Sequence, residues 1–98
     1  MRGALIMYIP SITSLENALK IYYENTEIGN KEIKYLFGNH SSATISRLKK
    51  LVKTEMLKNG VSNYCANKVN TEIAFKVWGL DAGNLKNRFQ ELNKLKLL

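Results

Sequence analysis

Apolar residues recur along most of the chain at the three- and four-residue spacing of amphipathic helices. The first such segment spans roughly residues 12–25, and Thr13 with Glu16 matches a capping box at its start. A break at residues 25–29 follows. We then predict a short second helix that is capped by Asn30 and buries Ile33, Leu36 and Phe37.

A longer third helix is predicted after Gly38 and Asn39, two residue types that tolerate the left-handed backbone of a tight turn. Ser41 or Ser42 caps this helix and Gly60 ends it. Its apolar stripe consists of Ile45, Leu48, Val52 and Met56. Its opposite face is polar and almost wholly basic, with Ser46, Arg47, Lys49, Lys50 and Lys53.

Two further helices complete the predicted fold. Thr71 caps the fourth, and Trp78 lies on its inner side as a core anchor. After a turn at Gly79, Asp81 caps the fifth helix, whose inward positions are Leu85, Phe89, Leu92 and Leu95 or Leu97. The polar stretch at residues 61–70 is compatible with a loop, a short extra turn or a small β-hairpin.

The predicted fold class is therefore all-α, with about five helices arranged as a helix-turn-helix bundle. With 98 residues the chain has the length of a single domain, 1–98. Residues 11–60 form the first helical unit, and residues 71–98 form a second unit of helix-turn-helix character.

Basic residues are concentrated in the middle of the chain. The sequence has fifteen Lys and Arg against eight Asp and Glu, for a net charge of +7. Seven of the basic and only two of the acidic residues lie between positions 31 and 58. A localised basic surface is typical of proteins that bind polyanions, because each phosphate contact releases condensed counterions. A solvated helix face is the alternative reading of the same charges.

Residues 30–58 contain every part of a helix-turn-helix: a short helix, a turn with glycine, and a second helix able to enter the major groove. Entry requires small or hydrogen-bonding residues at the start of the second helix, since the groove is about 12 Å wide. The residues there meet this condition: Ser41, Ser42, Ala43, Thr44 and Ser46.

The stretch Ser41-Ser42-Ala43-Thr44-Ile45-Ser46-Arg47 resembles the S-x-x-T-V-S-R segment that opens the recognition helix of lac-repressor-type bacterial regulators. The resemblance implies base reading by Ser42 and Ala43, a cap at Ser41, a core position at Ile45, and DNA contacts by Thr44, Ser46 and Arg47. The turn holds Asn39 and His40, one residue more than is usual. This departure leaves the base-reading register open and makes His40 a further candidate contact.

The segment from Glu72 to Phe89 repeats this layout. Aligning Gly38 with Gly79 places Phe37 over Trp78 and Leu48 over Phe89, with Ile45 one residue off Leu85. The candidate contacts of the second unit are Asn84, Lys86, Asn87 and Arg88. An ordinary antiparallel helix pair with a glycine turn would give the same pattern, so both readings stay open.

Several other classes of function are disfavoured by the sequence. Cys65 and His40 are each the single residue of their type, so we expect no disulfide, zinc site, cofactor or catalytic pair, and no enzyme. The apolar start, residues 1–9, is too short to span a bilayer and lacks the features of a signal peptide. We therefore expect a cytoplasmic protein without a membrane or small-molecule partner.

The leading hypothesis is a small sequence-specific DNA-binding regulator or accessory factor of a bacterium, phage or mobile element, acting as a homodimer or higher oligomer. The alternative is a helical oligomeric assembly or adaptor protein, for example a phage packaging component. The feature that favours the alternative is the C-terminal leucine cluster at Leu92, Leu95, Leu97 and Leu98. Binding to an anionic membrane surface is a more distant third hypothesis.

Overall fold

A computed structural model of the chain describes residues 9–62 and 67–97, and within these ranges it contains five helices and one small sheet. The helices are α1 (Leu15–Glu24), α2 (Asn30–Phe37), α3 (Ser42–Lys58), α4 (Thr71–Val77) and α5 (Ala82–Leu97). The strands are β1 (Glu27–Ile28), before α2, and β2 (Val69–Asn70), before α4. The fold is all-α, as the apolar spacing predicted. The predictions for residues 1–8, for Cys65 and for the side chains of Leu97 and Leu98 lie outside the described residues.

The first helix begins later than predicted, because its cap is Ser14 rather than Thr13. Ser14 keeps an extended backbone, and its Oγ accepts the N–H of Asn17 at 3.0 Å. The Thr13 hydroxyl instead donates to the Tyr35 carbonyl at 2.9 Å, at the end of α2. Thr13 therefore fastens the segment before α1 to α2, a long-range contact that overrides the local capping signal.

The predicted caps of α2 and α4 are each one residue too late. At α2 the cap position is Gly29, whose N–H donates to the Glu32 carboxylate at 2.8 Å. At α4 the side chain of Asn70 accepts the N–H of Ile73 at 2.9 Å. The Thr71 hydroxyl, predicted to be the α4 cap, is buried and has no hydrogen-bond partner among the described residues. An Asn side chain positioned by its strand takes the capping role from the threonine that follows it.

The third helix begins and ends where the sequence predicted. Ser41 is its cap, and its Oγ accepts the N–H of Thr44 at 3.2 Å. The same two side chains share a hydroxyl–hydroxyl hydrogen bond of 3.1 Å.

Replacing Ser41 with alanine is expected to lower the free energy of unfolding by about 1 kcal/mol, because the N–H of Thr44 loses its acceptor. Urea denaturation measures this change. Ser42→Ala, one position later in the helix, serves as the matched control and is expected to cost less than about 0.5 kcal/mol. A larger loss for Ser42→Ala than for Ser41→Ala would show that the cap is misassigned.

The two strands pair with each other across the fold. They run antiparallel, with Glu27 opposite Asn70 and Ile28 opposite Val69. Of the three alternatives for residues 61–70, the small β-hairpin is therefore wrong. The strand found there, β2, pairs with β1, which precedes α2. Ile28 and Val69 are fully buried, so this short ribbon is part of the core.

The core lies between α3 and the elements around it. Ile45, Leu48, Val52 and Met56 are all buried, as predicted for the apolar face of α3. Trp78 is 4% exposed and its ring contacts that of Phe37 edge-on, with 5.2 Å between ring centroids. The indole N–H donates to the Leu48 carbonyl at 3.2 Å. The prediction that Trp78 is a core anchor is confirmed.

The two segments that align on Gly38 and Gly79 contact each other at two pairs of aligned positions. Ile28 and Val69 are equivalent positions, each ten residues before its turn glycine, and they face each other in the ribbon. Phe37 and Trp78 are also equivalent, and their rings touch. The correspondence does not extend to the packing of the helices, because α5 packs mainly against α1 whereas α3 packs mainly against α4.

The inner face of α5 extends less far than predicted. Leu85 is buried and Phe89 is half-buried, but Leu92 is 42% exposed and Leu95 is 66% exposed. The prediction that Leu92 and Leu95 point inward is wrong. The reason is length: α1 has ten residues and α5 has sixteen, so the end of α5 passes beyond the helix that covers its start.

Candidate nucleic-acid interface

The turn between α2 and α3 accommodates its additional residue by folding tightly. Gly38 has a φ of 99°, a conformation that favours glycine, and the N–H of His40 donates to the Gly38 carbonyl at 2.9 Å. The His40 ring is half-buried, with its Nε2 3.0 Å from the Phe37 carbonyl. Because a carbonyl oxygen only accepts, Nε2 carries the proton in this contact. His40 therefore braces the end of α2 with one nitrogen, and its contact with DNA stays a prediction.

The candidate DNA-binding residues of α3 share one solvent-exposed surface. Those whose side chains are exposed are Ser41, Ser42, Ala43, Ser46, Arg47, Lys50 and Lys53. We call this set the α3 face. Residues four apart on a helix lie above one another, so Ser42, Ser46 and Lys50 follow one line along it. The helix thus presents small side chains near its start and cationic side chains further along.

Two candidates on α3 lie at the margin of this face. Thr44 is half-buried and its hydroxyl is engaged with Ser41. Lys49 is also half-buried, and its ammonium donates to the Asn30 side-chain oxygen at 3.1 Å. Burial, and then the positive charge of Lys53, lower the pKa of Lys49. The role of Asn30 was missed by sequence reasoning, which assigned this residue to a helix cap.

The candidates of the second unit lie on a different helix. Asn84, Lys86, Asn87 and Arg88 are all exposed in the first half of α5. The turns before α3 and α5 each have four residues, 38–41 and 78–81, but the glycine is the first residue of one turn and the second of the other. The Asp81 carboxylate accepts the N–H of Asn84 at 3.2 Å. The different position of the glycine explains why Ile45 and Leu85 fall one residue out of register when the glycines are aligned.

The N-termini of the two long helices also differ in charge. The cap of α3 is the neutral hydroxyl of Ser41, whereas the cap of α5 is the carboxylate of Asp81. A carboxylate at that position repels a phosphate that approaches the helix start. Of the two units, the first is electrostatically better suited to an anionic partner.

Within 9–62 and 67–97, no group of three or more His, Cys, Asp and Glu side chains is placed to hold a metal ion. None of the helices in these ranges is long and apolar enough to cross a membrane.

Comparison of the chain with protein-family models, with curated proteins and with solved structures gave no match. The resemblance to lac-repressor-type regulators therefore rests on the seven residues from Ser41 to Arg47 alone.

Proposed function

We propose that the chain binds double-stranded DNA, with α3 as the recognition helix in the major groove. The observation that carries this proposal is the composition of the α3 face, which begins with small polar side chains and continues with cations. The buried stripe of α3 fixes the rotation of the helix, so these side chains face outward together.

The distribution of side chains along α3 suits a division of roles. Ser42, Ala43 and Ser46 are short enough to let the backbone approach base edges, where they discriminate sequence. Arg47, Lys50 and Lys53 are long and cationic, so they reach the phosphates on the groove walls and position the helix. We propose a regulator or accessory factor that recognises a particular site through these two sets of contacts.

The second unit has a supporting role in this proposal. Lys86 and Arg88 are exposed cations on α5, and side chains of this length and charge suit additional contacts with phosphates. Because Asp81 disfavours phosphate at the start of α5, we assign the larger share of binding energy to α3.

Selection of bound duplexes from a random pool tests the proposal directly. We expect an enriched consensus and an affinity that falls with salt, with a slope of log K against log salt of about −3, one unit for each cation of the α3 face, which are Arg47, Lys50 and Lys53. A two-fold symmetric consensus would indicate a dimer, and an asymmetric one would indicate binding by a single chain. A pool that returns no consensus and no salt-dependent affinity would contradict the proposal.

A second candidate function, assembly into an oligomer, is favoured by the exposed end of α5. Leu92 and Leu95 lie three residues apart, on one side of the helix, and both face solvent. Exposed leucines at helical spacing are typical of surfaces that contact a partner. The two functions are compatible, since many DNA-binding proteins act as dimers.

Leu92→Glu with Leu95→Glu is expected to convert an oligomer into a monomer, because four carboxylates would meet at a twofold interface. Light scattering coupled to size exclusion at about 100 µM measures the mass, a concentration that detects dimers with Kd values in the micromolar range. Leu57→Glu is the control, since Leu57 is 82% exposed at the end of α3 and outside this surface. A monomeric wild-type chain would rule out this candidate.

A further inference from the structure

A cleft of about 570 Å³ lies beside the α3 face, where the start of α2 meets the middle of α3 and the segment before β2. Its lining includes three lysines and two asparagines together with a single carboxylate: Lys31, Lys49, Lys68, Asn30, Asn67 and Glu32. We call this the lysine cleft. Three cations around one concave site form a concentrated positive field.

The single carboxylate of the lysine cleft is already engaged. Glu32 accepts the N–H of Gly29 at 2.8 Å, so it serves as the cap partner of α2. Gly29 also permits the close approach of the cleft walls, because a Cβ at this position would lie 3.3 Å from the Lys68 Cγ and 3.7 Å from the Asn67 carbonyl. With three lysines and one carboxylate, the lining of the cleft is net positive.

The position of Lys49 points to an anionic occupant. Its ammonium donates to the Asn30 side-chain oxygen at 3.1 Å, and burial, together with the positive charge of Lys53, lowers its pKa. A lysine ammonium has three hydrogens, of which the Asn30 oxygen accepts one. An anion bound in the cleft would accept hydrogen bonds from the ammonium and offset the free-energy cost of its desolvation.

We propose that the lysine cleft binds a phosphate group, with Lys49 as its main contact and Asn30 as the residue that orients Lys49. In the DNA complex this phosphate belongs to the backbone strand that borders the groove entered by α3. This assignment rests on the proposed function, whereas the phosphate chemistry of the cleft also suits a free phosphate or a mononucleotide. The experiment distinguishes these sources.

Three substitutions in the lysine cleft and one control outside it separate phosphate binding from folding. Lys49→Met keeps the apolar stem of the side chain and removes its charge, whereas Lys49→Arg keeps the charge. Asn30→Asp places a carboxylate beside the Lys49 ammonium, which keeps the contact as an ion pair but repels phosphate. Lys20→Met, on the exposed surface of α1, is the matched control for lost charge.

The first arm measures affinity for a duplex of about two helical turns, roughly 20 base pairs, by fluorescence anisotropy over a range of salt. We expect Lys49→Met and Asn30→Asp each to weaken binding about tenfold and to reduce the salt slope by about one. Lys49→Arg should retain most of the affinity, Lys20→Met should behave as wild type, and the melting temperature of Asn30→Asp should not fall. Duplex binding that is unchanged by Lys49→Met and Asn30→Asp would overturn the DNA-backbone assignment while leaving the proposed function intact.

The second arm titrates the wild-type chain with inorganic phosphate and with a deoxynucleoside monophosphate, and follows backbone amide shifts by NMR. Saturable shifts at Gly29 and Asn30 that disappear in Lys49→Met would support the phosphate site even if the chain failed to bind duplexes. In that case the ligand would be a free phosphate compound and the proposed DNA function would be wrong. If neither probe shifts these amides and duplex affinity is unaffected by Lys49→Met, the cleft is not a phosphate site.

Discussion

Replacing Trp78 with alanine is expected to lower the free energy of unfolding by about 3–5 kcal/mol, the range for large aromatic truncations in a core. Trp78 is buried between the two units, contacts Phe37 edge-on at 5.2 Å, and donates its indole N–H to the Leu48 carbonyl at 3.2 Å. Alanine would leave a cavity at the contact between α3 and α4 and would remove the hydrogen bond from the indole to the Leu48 carbonyl. Because the free energy of unfolding of a small domain is about 5–15 kcal/mol, this substitution would remove a large part of it.

Urea denaturation followed by far-UV circular dichroism measures this effect, and Trp78→Phe divides it into its parts. The phenylalanine variant keeps a ring against Phe37 but lacks the indole donor, so a loss of about 1–2 kcal/mol is expected. Tyr23→Ala is the control, since Tyr23 is 61% exposed, and it should cost no more than about 1 kcal/mol. Equal losses for Trp78→Ala and Tyr23→Ala would show that the two units do not share a core at Trp78.

Replacing Lys50 and Lys53 together with alanine is expected to weaken duplex binding about 100-fold in the proposed complex. Each side chain is exposed on the α3 face, and a charge-assisted hydrogen bond to phosphate is worth about 1.5–3 kcal/mol, or roughly tenfold or more in affinity. The salt slope should become less steep by about two, because two phosphate contacts are lost. The loss should be similar for all duplex sequences, since phosphates carry no sequence information.

A charge-matched control decides whether the weaker duplex binding is due to the α3 face or to the lower net charge of the chain. Lys20→Ala with Lys94→Ala removes the same two positive charges from exposed positions on α1 and α5. Anisotropy titrations of both double variants should show weaker binding for the α3 variant alone. Equal weakening of both would indicate unspecific attraction by the whole chain, and wild-type affinity in both would exclude the α3 face as the DNA-binding surface.

Local signals in the sequence were sufficient for the helices and for most of the core. The spacing of Ile45, Leu48, Val52 and Met56 fixes which side of α3 is buried, and every one of these residues is buried in the structure. It follows that the exposed side of α3 was predictable as well, because a helix rotated to bury one stripe must present the opposite stripe to solvent. Ser41 and Asp81 were also predictable as helix caps, since each directly precedes an amphipathic segment.

Contacts between distant segments were not predictable in this way. Thr13 satisfies a local capping motif, yet it is used to hold the Tyr35 carbonyl. Asn30 was predicted to be a helix cap, but its side-chain oxygen instead accepts a hydrogen bond from Lys49, nineteen residues away. In both cases a polar side chain has two possible hydrogen-bond partners, one local and one distant in sequence. Only the packing of the helices decides which of them is within reach.

The sequence by itself determined the all-α class, the rotation of α3 and the clustering of positive charge in its middle region. These features depend on the periodicity of a helix and on composition, which are local properties of the chain. Only the tertiary structure decided the pairing of β1 with β2, the contact of Phe37 with Trp78, the exposure of Leu92 and Leu95, and the lysine cleft. Each of these depends on which elements approach one another and how far each one extends, and hydrophobic periodicity carries no information about either.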